Sequence, residues 1–504
     1  VTKNRIVIIG AGIGGLTAAA LLAARGEEVL VLERQATPGG KMRHLNCGGA
    51  MIDGGPTVFT MRPIFEAIFA DAGTSLDAEL TLKPLSTLAR HSWGHGAELD
   101  LFADLAQSAN AIGHFAGADE AKRFIAFQTE ARRVFHALNK PFIESQRPTP
   151  FSLVTSAGLK GALDLMRINP FETLWKAVSR HFKDPRLRQL YGRYATYCGA
   201  SPFAAVATLI LIAHVEQDGV WQVEGGMHAV ARAFERMILQ LGASVKYNES
   251  VTAIETEHGN ICAVRTEKGE RILCGDIIFN GDVNALATGL FGDSVKSATE
   301  PVPIKNRSLS AITWVGHLET KGFPLEHHNV FFSRDYKHEF DELKRGYPSE
   351  PTVYLCAQDR PADLHGKERI LLLVNSPANG DHTPEPHEKI EIAMRRKLAE
   401  CGLDIAWDTS NITMTPPEGF AALFPATGGA LYGRASHGWL ASFQRAAAVT
   451  NIPGLYLAGG STHPGPGVPM AAMSGRLAAE SLMAKRASIR KFHPAAIAGG
   501  ISTR

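Results

Sequence analysis

The chain has 504 residues, enough for two or three domains rather than one core. Hydrophobic residues make up 45% and charged residues 20%, the balance of an ordinary globular protein. With 52 basic and 50 acidic side chains, a net charge of +2 and no long basic run, nucleic acid has no electrostatic footing, and the surplus is too small to hold anionic lipid by itself.

Six cysteines stand at 47, 198, 262, 274, 356 and 401. None forms a C-x-x-C pair, so neither a zinc ribbon nor a dithiol redox motif is supported, and the usage suits a reducing cytoplasm. A first strand expected from Arg5 leaves no room for a signal peptide. The most apolar stretch, Phe203 to Val215, follows Pro202 and is shorter than the roughly 20 residues that span a bilayer.

Residues 5–9, RIVII, read as a strand, followed by GAGIGG and then a helix closed by Gly26. Gly10 permits the tight turn, Gly12 lets a pyrophosphate approach the backbone, and Gly15 lets helix and strand pack closely. Gly14 completes the loop, and the helix N-terminus offers free N–H groups and positive dipole to phosphate. A second strand, EVLVLE, ends at Glu33, placed to accept hydrogen bonds from ribose hydroxyls. An acid at this position argues against a 2′-phosphate, and so against NADP.

After Glu33 and Arg34 come Gly39, Gly40, Lys41, Met42 and Arg43, then Asp53, Gly54, Gly55, Pro56 and Thr57. The first run resembles the second glycine pair of large FAD-containing oxidoreductases that include amine oxidases and phytoene desaturases. The second resembles the D-x-G-P turn of the desaturases. The resemblance implies FAD, with Gly40, Lys41, Met42 and Arg43 along the cofactor and Gly55, Pro56 and Thr57 beside the flavin. On residue type alone, a solvated surface pair is the lesser alternative for Lys41 and Arg43.

Residues 223–282 look like a return to the nucleotide domain: a glycine turn, an amphipathic helix, then short strands joined by turns. The same resemblance makes Val251 a backbone contact to adenine and brings Asp282 to the pyrophosphate region. A third return, 453–485, contains GGSTHPGPGVP, from Gly459 to Pro469. This closely resembles a signature near the C-terminus of carotenoid desaturases, and it implies flavin contacts from Gly459, Gly460, Gly467, Val468 and Pro469. Pro469 suits a first helical turn, whose N-terminus would favour negative charge on the flavin.

The resemblance covers nearly the whole chain. It implies an α/β fold: a discontinuous Rossmann-type FAD-binding domain (1–66, 221–300 and 421–485) with inserted substrate domains. Of these, 67–220 is mainly helical and 301–420 contains a sheet; 486–504 reads as a loosely ordered tail. Segment 151–182 is basic, amphipathic and carries Phe171 and Trp175, which fits either a lipid interface or a lid packed on the body.

Thr60-Met61-Arg62 and the stretch 82–102 resemble the branch of that family acting on 1-hydroxylated carotenoids of the hydroxyneurosporene or methoxyneurosporene kind. The implied reaction is 3,4-desaturation of an acyclic carotenoid, at the cytoplasmic face of the inner membrane. Phytoene desaturation, flavin-dependent carotenoid isomerisation and amine oxidation are the alternatives on this fold. Arg62 and His91 are candidates to meet the substrate's polar end, though either could bind flavin or be structural. Asp53 could be a base, but its turn favours a backbone role. His327, His328 and His437 lack a ligand spacing, so no metal is expected. The electron acceptor and oligomeric state stay open.

Overall fold

The computed structural model describes residues 5–149, 171–360, 366–382 and 386–492. Within them a parallel sheet runs in the order Leu455–Leu457, Asp276–Phe279, Ile6–Ile9, Val29–Leu32, Ser244–Lys246. Its strands come from three separate stretches of the chain.

The first strand is apolar throughout because both its faces are buried. Ile6 and Ile8 pack on helices through Leu16, Phe234 and Leu477. Val7 and Ile9 face the other way, toward Val264 and Ile272 of a three-stranded antiparallel sheet and toward Leu286. Three helices cover the first face: Ile13–Ala23, His228–Gln240 and Val468–Phe492. The last of these continues past 485, where a loose tail was expected. Arg486 holds it, bonding Asp276 at 2.7 Å and pairing with Glu27.

A second, mainly antiparallel sheet orders Leu403–Ile405, Ser310–Gly322, Lys367–Ser376, Val353–Ala357, His328–Phe331, Thr87–Ser92 and Glu98–Phe102. Residues 82–102 were expected in a mainly helical region. Within them, Thr87–Ser92 and Glu98–Phe102 instead form a hairpin that extends this sheet, with Asn329 opposite Arg90 in parallel register, while Leu82–Pro84 pairs with Trp221–Val223 elsewhere. Side chains alternate along the long central strands. Ile312, Trp314, Leu372 and Val374 pack outward on Ile390, Met394 and Leu398 of helix Glu388–Glu400. Ala311, Thr313, Leu371 and Leu373 point the other way and form one wall of a cavity.

A helical layer closes over that wall. Helices Leu105–Ala116, Ala118–Leu138 and Leu174–His181 bury Phe124, Phe127 and Phe182 around Tyr191. Burying such side chains contributes about 1.5–3 kcal/mol each. Trp175 belongs to this packing, lying on Phe203 and against Gly192. The rest of the amphipathic segment, 151–170, lies outside the described residues.

Candidate active site and cofactor cavity

A single cavity of about 1570 Å³ extends from the loop after the first strand to the helical layer. A pocket for one small ligand holds about 300–1,000 Å³, so this space suits two large molecules. Two helix N-termini open onto it. One presents Gly12, Ile13 and Gly14; the other presents Val468, Pro469, Met470 and Ala471. First-turn N–H groups have no intrahelical acceptor, and both dipoles favour negative charge in the cavity.

The nucleotide end is made by close backbone approach. Gly10 has φ +100°, a conformation that disfavours a side chain. A Cβ on Gly14 would lie 2.7 Å from Asn280 Oδ1 and 2.9 Å from the Gly459 nitrogen. Gly15 leaves no room at all, since its Cβ would sit 2.2 Å from the Gly10 oxygen. Asn280 stands where the first and last glycine loops meet, and its Nδ2 donates to the Gly10 oxygen at 3.1 Å. Sequence reasoning missed Asn280, although an amide ending the apolar run DIIF was a visible signal.

Glu33 accepts from the Ala11 N–H at 2.7 Å and from the Gln35 N–H at 2.8 Å. Burial raises its pKa, and the two backbone donors work against that. It lies on the cavity wall with Val251, both at the end reached by the first helix. Arg34 also lines the wall and donates to the Ala422 oxygen at 2.8 Å.

Further along stand Gly40, Lys41, Met42 and Arg43. Lys41 is not a solvated residue. It donates to the Leu431 oxygen, and burial lowers its pKa while nearby Asp282 resists the shift. Arg43 donates to Thr415 Oγ1 at 2.8 Å and covers the Phe420 ring. Asp282 caps a short helix through the Asn284 N–H at 2.9 Å, and burial raises its pKa. Gly55, Pro56 and Thr57 face this region, with Gly459, Gly460 and Gly467 opposite. A Cβ on Gly55 would be 1.8 Å from the Lys41 oxygen, so only glycine fits. A Cβ on Gly460 would meet nothing within 4 Å, which leaves open space above the loop.

These residues fit FAD. Helix N-termini and bare backbone suit a diphosphate, Glu33 suits ribose, and open space beside Gly460 admits a flat ring system.

The other end of the cavity is lined by side chains of the helical layer. Phe135, Leu138, Leu209 and Ile212 make it apolar. Among them stand Arg193, Tyr197, Glu216 and Tyr354. Arg193 Nη1 donates to the Tyr197 hydroxyl at 2.9 Å, and Tyr194 donates to Glu216 Oε2 at 2.6 Å. Tyr354 shares a 2.6 Å hydrogen bond with Thr57 and one of 2.8 Å with His328 Nδ1. Sequence reasoning passed over this cluster, although an arginine amid Tyr191, Tyr194 and Tyr197 was a signal of buried charge.

Two expected substrate contacts fall elsewhere. Arg62 opens helix Arg62–Asp71 and points outward, bonding Glu66 and Asp77, each at 2.7 Å. His91 sits in the second sheet, beside the Trp93 and Phe332 rings that stack on each other, with Nδ1 at 3.1 Å from the Leu99 oxygen. Burial holds its pKa down at about 4, so the ring is neutral. Neither lines the cavity. Asp53 accepts from the Met227 and His228 N–H groups, the latter at 3.1 Å, which fixes the 225–228 turn. His327, His328 and Cys356 lie together in the core, with potential ligand atoms within 4.8 Å of one another. Burial lowers both imidazole pKa values and raises that of the thiol. His437 accepts from the Ser201 N–H at 3.0 Å.

Residues 13–483 match the flavin-containing amine oxidoreductase family, and the chain belongs to it. It is thus an FAD-dependent oxidoreductase. Within that family it is 53% identical to the hydroxyneurosporene desaturase of Rubrivivax gelatinosus, over 99% of this chain and 97% of that one. A hydroxyneurosporene desaturase of Rhodobacter capsulatus is 42% identical, over 97% of this chain and all of the other. The phytoene dehydrogenase of Streptomyces griseus is more distant, at 30% over 96% of each chain. A putrescine oxidase structure shares the fold, with TM-score 0.59 and 14% identity over 95% of this chain and 99% of that one.

Proposed function

We propose that the protein desaturates a long acyclic 1-hydroxycarotenoid, removing hydride from carbon 4 and a proton from carbon 3. The observation that carries this reading is the continuity of the cavity: a dinucleotide cradle and a long apolar chamber are one space. The near-full-length likeness to hydroxyneurosporene desaturases supports the same substrate class. The FAD-binding domain on this reading comprises 1–66, 221–300 and 421–485, with the intervening segments shaping the substrate chamber.

Bound FAD supplies the hydride acceptor. The chain's own task is positioning and exclusion of water. Phe135, Leu138, Leu209 and Ile212 wall the polyene from solvent. The N-terminus of the final helix, at Val468–Ala471, favours the negative charge that hydride transfer delivers. Carbon 4 is allylic, so the positive charge left there delocalises along the double bonds. That charge acidifies carbon 3, and a weak base then suffices.

Peripheral association with the cytoplasmic face of the inner membrane completes the reading. Among the described residues no helix is long and apolar enough to cross a membrane. At the cavity rim, Phe171 is 72% exposed and Trp439 39%, their rings 5.3 Å apart. Leu440 beside them is also exposed. Such a rim suits delivery of a waxy substrate from lipid.

Anaerobic mixing tests the reaction. Flavin absorbance should bleach on adding 1-hydroxyneurosporene, with a product two hydrogens lighter. Isomerisation without bleaching, or bleaching only with phytoene or an amine, would overturn the reading. For the membrane, wild-type protein should float with liposomes, and the pair Phe171→Ser with Trp439→Ser should weaken flotation while FAD stays bound. Unchanged flotation would remove the rim from the contact.

A further inference from the structure

Carotenoid chains are apolar, and their chamber needs no charge. Yet Arg193 and Glu216 both line it. An arginine stays ionised in proteins, so a permanent cation faces the chamber. The Tyr197 and Tyr354 rings lie 5.1 and 5.4 Å from the guanidinium carbon. Of its five N–H donors, one is used among the described residues, toward Tyr197 at 2.9 Å, and it makes no ion pair there. Glu216 is the nearby carboxyl group, held by Tyr194 at 2.6 Å. Arg193 thus keeps unused donors toward the cavity, and Glu216, held through one oxygen, keeps acceptor capacity there.

We infer that Arg193, Tyr197 and Glu216 form a receptor for the tertiary hydroxyl at the end of the substrate. This rests on the function proposed above. An alcohol is both acceptor and donor. Arg193 donates to its oxygen, and Glu216 accepts its hydrogen. The position fits the chemistry. Tyr354, which flanks Arg193, is hydrogen-bonded to Thr57 in the flavin-side loop, so the receptor stands close to the reacting bond. In a 1-hydroxycarotenoid the hydroxyl lies only two carbons beyond carbon 3.

The charge of Arg193 also imposes a direction. A guanidinium raises the energy of any positive charge formed near it. The polyene must then run away from Arg193, so that charge left at carbon 4 spreads toward the far end of the chamber. Binding the chain the other way round would place its double bonds against the cation and leave the hydroxyl in an apolar wall. One cluster thus fixes both register and orientation.

The experiment compares Arg193→Met, Arg193→Lys and Tyr197→Phe on 1-hydroxyneurosporene and on neurosporene, both delivered in liposomes. Wild-type enzyme should prefer the hydroxylated substrate. Arg193→Met should lower kcat/KM for that substrate by about tenfold to a hundredfold, the scale of a hydrogen bond to a charged group. The loss on neurosporene, which has no hydroxyl to bind, should be smaller, so the ratio between the two substrates falls, and the flavin spectrum should persist. Arg193→Lys should recover part of the loss, and Tyr197→Phe should lose less in the same direction. If Arg193→Met fails to fold, the substrate ratio in Tyr197→Phe decides. An unchanged ratio in FAD-bearing variants would overturn the receptor and leave the proposed reaction standing. A wild-type enzyme indifferent to the hydroxyl would overturn the reaction itself, and the receptor with it.

Discussion

At the nucleotide end of the cavity the walls are backbone. Glycines from the first and last loops meet around Asn280, and there is no space there for side chains. At the substrate end the walls are side chains, with Arg193, Tyr197, Glu216 and Tyr354 set among apolar groups. The first end binds what every flavoprotein of this fold binds, and backbone N–H groups suffice. The second must distinguish one polyene from another, and that takes side chains that can be exchanged without disturbing the sheet.

The contrast can be broken first at the backbone. Gly12→Val should abolish FAD loading, because even its Cβ would lie 2.8 Å from Asn280 Nδ2 and the branched carbons would enter the cofactor's space. Full FAD content in the purified variant would refute the cradle. Next, Asn280→Leu leaves the Gly10 oxygen without its donor and crowds Gly10, Gly12, Gly14, Gly15 and Gly459. It should cost about 1–3 kcal/mol of stability and weaken FAD binding measurably by titration of the apoprotein.

At the substrate end the effects are smaller and should spare the cofactor. Burial raises the Glu216 pKa. The folded state therefore holds this proton at pH values where the unfolded chain has released it. Its contribution to stability is full below the unfolded pKa and is lost as pH rises through the raised folded value. Glu216→Gln should flatten that part of the stability–pH curve, read by thermal unfolding across pH 4–8, where buffers of constant ionic strength remove screening changes. An identical slope in the variant would show that Glu216 does not titrate there. Smallest of all, Arg62→Met should leave turnover and FAD unchanged and cost no more than about 1 kcal/mol, since Glu66 and Asp77 are solvent-accessible partners. A selective loss on hydroxylated carotenoid would move the receptor to Arg62.

The same contrast explains what could be read from the chain itself. Gly10, Gly12, Gly15 and Glu33 are close in sequence because one strand, one turn and one helix make the site, so spacing alone reveals it. Lys41 and Arg43 were ambiguous as residue types, and only their burial under Leu431 and Phe420 separates them from a surface pair. The hydroxyl receptor has no local spacing. It joins Arg193 and Glu216 to Tyr354, a residue from the other sheet, and each alone looks like a structural residue. His91 misled in part for the same reason: its ring is spent on Leu99 across a local hairpin and on Phe332, and the second contact needs strands far apart in the chain to pair. The hairpin was itself hidden, because Thr87–Ser92 lies beside His328–Phe331.

The order of strands in the parallel sheet sets a timetable for synthesis. Ile6–Ile9 and Val29–Leu32 emerge from the ribosome first, but their sheet neighbours Asp276–Phe279 and Leu455–Leu457 arrive much later. At about 5–20 residues per second, the gap to the last strand is roughly 20–80 s. Until then the helix Ile13–Ala23 lacks Leu477 and Leu482 against its apolar face, and the Gly459 loop is missing from the cofactor cradle. That apolar face of the first helix therefore stays uncovered for the whole interval. The cofactor cradle is complete only after the Gly459 loop has been made.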